Sequence, residues 1–311
     1  MSILTLTLNP SIDHILLTGR IQWNRKNILD SSESFIGGKG INVAYTLGQL
    51  GIPAIACGLI GKDAIKELTD KMDPKGVIVR FAIADETRHN FKIVDQENGK
   101  DTEFNQPGIT VSSEQFKQLS TIVENSLDGA QWLVLSGSIP QSLPNEIYAD
   151  LIRRCHNQGI LTVLDTSGEP LKEGVKAKPT LLRINRSELE EIFPDCDHSP
   201  DAMKTVFEEL HQQGIRYCVI SYGPEGAIGS DGEAIWKVRV PGVKPRSLTG
   251  AGDTMTAGMV ASLTQRKNFK EAFVFGSALA TASTLQLEPG EYSERDFDLF
   301  LKEANLEIYS G

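Results

Sequence analysis

The stretch "WLVLSGSIPQSLPNEIYADLIRRCHNQGILTVLDTS", Trp132 to Ser167, reads as strand, helix, strand. An apolar β-type run, Trp132 to Gly137, is followed by a helical pattern at about 144 to 158 and then by a second run, Leu161 to Ser167. The alternation continues in both directions. "ILTLTL" (3 to 8) lies upstream, and "TLLRIN" (180 to 185) and "YCVISYG" (217 to 223) lie downstream. Further helical patterns occupy about 40 to 50, 113 to 127, 200 to 213, 252 to 265 and 269 to 284. Strand followed by helix, repeated, predicts an α/β fold with a mostly parallel sheet covered on both faces.

Such sheets bind ligands at the carboxyl ends of their strands. The unusual residues collect there: Asn9 and Asp13 after the first run, Ser136 to Ser138 after the second, then Asp165, Asn185 and Gly223. Two stretches, 12 to 36 and about 78 to 106, break the rhythm and read as short alternating strands. "RHNFKIVD" followed by Glu97-Asn98-Gly99-Lys100 carries an Asn-Gly hairpin signal. Both stretches are expected to pair into a small sheet outside the main core. With no Pro-, Gly- or Ser-rich linker and no internal repeat, residues 1 to 311 read as one domain.

The chain has 311 residues, 40 % of them hydrophobic, and a formal net charge of −10. That charge argues against nucleic acid or an anionic membrane as a partner and requires local basic residues if the ligand is anionic. No apolar run of about 18 residues is present, and the N-terminus lacks the basic start and cleavage site of a signal peptide, so a cytoplasmic protein is expected. Cys57, Cys155, Cys196 and Cys218 are scattered without a CxxC pair and read as reduced thiols. The five histidines form no triad or metal pattern.

Two small-residue turns carry the chemistry. In "SLTGAGDTMTAGMV", Ser247 to Val260, Gly250, Ala251 and Gly252 open a helix whose unpaired N–H groups and positive dipole end suit an anion. Asp253 follows, placed either as a plain N-cap or as a base for a substrate hydroxyl beside a phosphate. In "FIGGKGINVA", Phe35 to Ala44, Gly37, Gly38 and Gly40 surround Lys39, with Asn42 a step further on. The glycines allow a ligand to approach the backbone and Lys39 offers a point charge for a phosphate. "TRHNFKI" sets Arg88, Asn90 and Lys92 on one strand face, either as a positive pocket with Lys39 or as a solvated edge. "INRSELEEI" holds Asn185 at a strand end and Glu188 in a first helical turn, where they serve the water shell of Mg²⁺ and a phosphate, or simply the helix dipole. The chain contains neither G-x-x-x-x-G-K-[ST] nor a G-x-G-x-x-G after its first strand, which leaves a P-loop nucleotidase and a nicotinamide oxidoreductase unsupported.

Taken in order, "TLNPSID", "GGKGINVA", "TRHNFKI", "SGSIP", "NRSELE" and "GAGDTMTAG" resemble the PfkB-type (ribokinase-like) carbohydrate kinases, in their hexose-phosphate branch of 1-phosphofructokinases and tagatose-6-phosphate kinases. The resemblance spans essentially the whole chain. It implies a three-layer α/β/α fold with a β-sheet lid, ATP and Mg²⁺ as cosubstrates, and transfer of the γ-phosphoryl to a sugar hydroxyl. Asp253 would take the hydroxyl proton, and the amides of Gly250, Ala251 and Gly252 would hold the transferring group. Asp13, Gly38, Asn42, Asn90 and Ser138 would contact the sugar, while Lys39, Arg88 and Lys92 would hold the phosphate already on it. Asn185, Ser221, Gly223 and Gly226 would line the ATP site, with Asn185 and, through water, Glu188 at the metal. The family also suggests a homodimer paired through the lid.

Some positions depart from the family pattern. Arg183-Ile184-Asn185 stands for Lys-Pro-Asn, so no ATP role is carried onto Arg183; Ser247-Leu248-Thr249 precedes the Gly-Ala-Gly turn, and Ser142 replaces a glycine. "TRHNFKI" with "TEFNQPG" looks more like the kinases of fructose 1-phosphate, with tagatose 6-phosphate as the alternative substrate. A non-catalytic sugar-phosphate sensor is a remoter reading, disfavoured by the retained Asp253.

Overall fold

The structure, a computed structural model, describes residues 2–309. Its strands are β1 (Ser2–Thr7), β2 (Ser11–Thr18), β3 (Ser31–Gly37), β4 (Ala54–Gly61), β5 (Ile78–Ala84), β6 (Arg88–Asp95), β7 (Lys100–Asn105), β8 (Ala130–Ser136), β9 (Leu161–Asp165), β10 (Leu181–Asn185), β11 (Tyr217–Ser221), β12 (Ala227–Ser230), β13 (Ile235–Arg239) and β14 (Asn305–Ile308). Its helices are α1 (Lys39–Gln49), α2 (Ile65–Met72), α3 (Ser113–Leu127), α4 (Ile147–Gln158), α5 (Glu169–Lys176), α6 (Arg186–Ile192), α7 (Pro200–Gln212), α8 (Ala251–Thr264), α9 (Phe269–Ser283) and α10 (Glu294–Glu303).

Ten strands form one sheet in the order β14-β13-β12-β11-β10-β9-β8-β1-β4-β5. From β11 to β5 every neighbouring pair is parallel, and β12 to β14 add an antiparallel margin. Helices α3 to α7 pack one face over a core that contains Leu133, Tyr148 and Phe207. Helices α1, α2, α8 and α9 pack the other over Ile3, Trp132 and Phe273. This is the three-layer ribokinase-like arrangement that the motif order implied. Because α8 lies between the sheet, α1 and α9, every residue from Asp253 to Ser262 is buried, which explains its lack of a polar face. None of the described helices is long and apolar enough to cross a membrane.

Four strands, in the order β3-β2-β6-β7, make the separate small sheet. Its central pair, β2 and β6, is parallel and sets Asp13 beside Asn90. The expected boundary of this lid is corrected at one end: residues 78 to 84 are β5, the parallel edge of the main sheet beside β4. The crossover between them is α2, a helix of only 8 residues whose pattern was not read from the sequence. A short amphipathic turn supplies little periodicity, so nothing local separates β5 from the lid strands that follow it.

The site is positioned by the centre of the sheet. The chain leaves β1 toward β4 on one side and occupies β8 on the other, so β1 and β8 flank a topological switch point. Asn9 and Ser138 lie just past the carboxyl ends of these strands and are joined by a 3.0 Å hydrogen bond.

Candidate active site

At the start of α8, Gly250 occupies the N-cap in the left-handed region (φ 82°) without a side-chain cap. A Cβ there would strike Pro289 at 2.7 Å, so both the conformation and the close approach call for glycine. The first-turn amides have no intrahelical acceptor and present a positive end to whatever the site holds. Asp253 is the third residue of this helix, not its cap. The residue is 5 % exposed, and its carboxylate accepts a 2.8 Å hydrogen bond from Asn42 Nδ2 on α1. Burial, together with the like charge of Asp165, pushes its pKa up to about 7.

Asp165, at the end of β9, is fully buried and is the hub of a charge cluster. It accepts from Lys39 Nζ at 2.6 Å, from Arg183 Nη1 at 3.4 Å and from Thr256 Oγ1 at 3.4 Å. Burial works to raise its pKa, but Lys39 and Arg183 outweigh it and hold the group ionised. Lys39 Nζ also lies 3.5 Å from Glu188 Oε1. Against the opposing effect of burial, Asp165 and Glu188 hold the lysine protonated, its pKa well above normal. Glu188 itself is shifted upward, first by burial, in spite of Lys39.

Two of the three expected cations are paired with carboxylates of the protein itself. Lys39 serves the carboxylates at the sheet's end, and Lys92 is held by Asp101 at 2.7 Å and Glu103 at 3.2 Å on β7. Arg88 alone of the three has no carboxylate partner among the described residues. Its guanidinium donates to Asn9 O, Pro10 O, Gln106 O and Asn90 Oδ1, all at 3.3–3.4 Å, long bonds to neutral acceptors. A half-buried cation so weakly engaged is ready for an anion. On the same face Asn90 Nδ2 donates to Asp13 Oδ1 at 2.8 Å, and Ser11 Oγ donates to the same oxygen at 2.7 Å. Gly37 has no room for a side chain because the Asp13 carboxylate lies against it. Gly38, at φ 139°, leads into α1 where a Cβ would meet Thr7 Cγ2 at 2.7 Å. Ser138 accepts from Asn9 Nδ2, while Asn9 Oδ1 is buried and unpartnered.

Beside the α8 turn opens a cavity of about 320 Å³ whose lining includes the polar or small residues Asn185, Ser221, Gly223 and Gly226 and the apolar Val238, Val243 and Met255. Gly226 (φ 94°) lies against Val238 O and has no space for a side chain. Asn185 and Glu188 form a capping box for α6: Asn185 Oδ1 accepts from Glu188 N at 3.0 Å and Glu188 Oε2 from Asn185 N at 2.8 Å. Arg183, onto which no role was carried, is in this wall; its Nη2 donates to Ser221 Oγ at 2.8 Å and its guanidinium covers Gly252. Ser142 also has a use, accepting from Val111 N at 2.9 Å.

The structure thus groups Asp253, Asn42, Gly250, Ala251 and Gly252 at one turn, Asp13, Arg88 and Asn90 on the lid, and the nucleotide-type residues around one cavity. Sequence places Asn9 and Asp165 at the ligand-binding end of the sheet without a role, and carries none onto Arg183. Asn9 and Asp165 had a signal in standing at or next to the carboxyl ends of apolar strands, whereas Arg183 lies in the middle of β10.

A profile of the pfkB family carbohydrate kinases matches residues 7–295. The 1-phosphofructokinase of Bacillus subtilis is 32 % identical over 296 residues, 94 % of this chain and 96 % of that protein. That of Borreliella burgdorferi is 32 % identical over 286 residues, 91 % of this chain and 92 % of the relative. The crystal structure of Escherichia coli phosphofructokinase-2 in complex with substrates and products superimposes with a TM-score of 0.88 at 30 % identity, covering 97 % of this chain and 99 % of that one.

Proposed function

Because the chain belongs to the pfkB family of carbohydrate kinases and is thus a sugar phosphotransferase, we propose that it transfers the γ-phosphoryl of ATP to D-fructose 1-phosphate, giving fructose 1,6-bisphosphate. The observation that carries this reading is the pairing of a buried base, Asp253, with an uncompensated Arg88 on the lid that faces Asp13 and Asn90. The two relatives named 1-phosphofructokinase support the choice of sugar.

In this account Arg88 binds the phosphate already on the sugar, and Asn90 orients Asp13 toward the sugar hydroxyls. Asn42 fixes the Asp253 carboxylate, whose pKa of about 7 suits removal of a hydroxyl proton near neutral pH. The α8 amides and the Arg183 guanidinium provide positive charge where the phosphoryl group passes.

The donor set fits Mg²⁺ held through water. No group of three or more carboxylate, histidine or cysteine ligands exists among the described residues, and Mg²⁺ on nucleotide phosphates needs only one or two protein carboxylates because it keeps several waters. Glu188 and Asn185 would hold that shell; when bound, the ion neutralises charge on the phosphates. Such a kinase works in the cytoplasm, where ATP and phosphorylated sugars are found. Its exposed lid strand β7 suits pairing with a second copy, which sedimentation would report as a dimer.

The test is ADP release from Mg-ATP with fructose 1-phosphate, tagatose 6-phosphate, fructose 6-phosphate and free fructose in parallel. The proposal expects the largest kcat/KM with fructose 1-phosphate. A larger value with tagatose 6-phosphate would reassign the substrate, and binding without turnover on any of them would make the protein a sensor.

A further inference from the structure

Keeping a carboxylate ionised inside a protein is unfavourable unless cations hold it, and Asp165 is fully buried. Its two oxygens take different partners: Oδ1 accepts from Lys39 Nζ at 2.6 Å and Oδ2 from Arg183 Nη1 at 3.4 Å. The Arg183 guanidinium in turn covers Gly252 in the α8 turn. Asp165 thus spaces two cations across the end of the sheet, beside the turn that carries the base.

Lys39 keeps capacity for a further partner. An ammonium has three donors, and the one hydrogen bond that Nζ makes among the described residues is to Asp165. Glu188 Oε1, at 3.5 Å, lies beyond an ordinary N–H···O bond. The Lys39 side chain is 33 % exposed, against 0 % and 7 % for the side chains of Asp165 and Glu188, so of the three it is the one open to an incoming ligand. Lys92 differs, because two short contacts, 2.7 Å to Asp101 and 3.2 Å to Glu103, close around it.

The placement of Lys39 indicates which ligand group it meets. Lys39 and Asn42 stand three residues apart and are neighbours on α1. Asn42 holds the carboxylate of Asp253, and the charge of Asp253 also acts on Lys39. The ammonium therefore lies near the base, where the sugar hydroxyl and the γ-phosphoryl must come together. Fructose 1-phosphate carries its own phosphate at one end of the carbon chain and accepts the second at the other. Arg88, anchored to the carbonyls of Asn9, Pro10 and Gln106, is the cation for the first end.

We propose that Lys39 binds the transferring phosphoryl group, not the phosphate already on the sugar, and that Asp165 is the positioning residue that aims it. This rests on the reading of the chain as a kinase of fructose 1-phosphate. In the transition state charge spreads over the equatorial oxygens of the phosphoryl group, and an ammonium already fixed beside it stabilises that state more than the bound ground state.

The experiment compares the wild type with Lys39→Met and Asp165→Asn. It measures kcat, and titrates fructose 1-phosphate and Mg-ADP calorimetrically, the latter with and without aluminium fluoride, whose complex with ADP copies the transferring group. For Lys39→Met the expected result is a kcat lower by about a hundredfold, with fructose 1-phosphate and ADP affinities within about threefold of the wild type. The tightening of ADP by aluminium fluoride is lost, which a merely structural role would not bring about. Asp165→Asn shows the same split with a fall in kcat of about tenfold. Should Lys39→Met fail to fold, Lys39→Arg keeps a cation on Asp165 and is expected to lose about tenfold in kcat with the same affinities, since its fork sets the charge elsewhere. Fructose 1-phosphate binding weakened by more than about tenfold with kcat retained, in any Lys39 variant, would place the lysine at the resident phosphate and overturn the proposal. A kcat within about threefold of the wild type with the aluminium fluoride effect intact would overturn it too, leaving Lys39 a counter-ion of Asp165 alone. Failure of the wild type itself to bind or turn over fructose 1-phosphate would instead remove the kinase reading on which the assignment rests.

Discussion

Asn42, near the start of α1, donates a 2.8 Å hydrogen bond to Asp253, 211 residues later near the start of α8. The bond joins the two glycine-rich turns that the sequence presents far apart. It also fixes the carboxylate while leaving Asn42 Oδ1 buried and unpartnered, free to accept from a sugar hydroxyl.

The protonation of Asp253 sets the pH dependence. Its carboxyl titrates at about 7 because burial, and then the charge of Asp165, disfavour ionisation. A base must be unprotonated, so kcat/KM for the sugar phosphate should fall about tenfold per pH unit below 7 and level off above it. The same shift has a thermodynamic sign: the folded protein binds this proton more tightly than the unfolded chain, so the group's contribution to stability declines as pH rises from the ordinary carboxylate range to about 7. Thermal melts of Asp253→Asn between pH 5 and 8 should lack that decline.

Charge neutralisation separates Arg88 from Lys92. Arg88→Ala should raise the KM for sugar phosphate by about 10- to 100-fold and leave the KM for ATP unchanged, the loss of a charge-assisted bond to an anion. Lys92→Ala should change it by no more than about threefold, because Asp101 and Glu103 already hold that ammonium. Equal effects in steady-state kinetics would mean that both cations reach the phosphate.

Gly252 is required for steric reasons. A Cβ there would lie 2.5 Å from Arg183 Cζ, so Gly252→Ala must displace the guanidinium or the turn. Turnover should drop by about a hundredfold from misplacement at the reacting phosphoryl, with sugar binding retained in a calorimetric titration.

Most of the parallel sheet is legible in the sequence because strands such as Trp132–Gly137 and Leu161–Ser167 are continuous apolar runs; β4, whose AIACGLIG is rich in small residues, and β5 are not. The short helix α2 and the antiparallel strands β12 to β14 were not, since brief elements carry too few periods. Asp253 and Asn42 were legible as residues, while their hydrogen bond is a product of α1 packing on α8. The partners of Lys39 and Lys92 were hidden for a related reason. Which carboxylate neutralises a cation depends on β9 and β7 standing next to them, and neither adjacency is written in local sequence. Arg183 departs from the family's lysine, and its length and fork let it reach Asp165 and Ser221 together.

The central claim, that Asp253 is the base of a sugar-phosphate kinase, is tested most directly by phosphoryl transfer from ATP to fructose 1-phosphate in Asp253→Asn. The account predicts a loss of kcat of about 10²- to 10⁴-fold, with ATP and sugar-phosphate affinities within a fewfold of the wild type. Turnover within about threefold of the wild type at pH 8 would contradict it and require the proton to leave by another route.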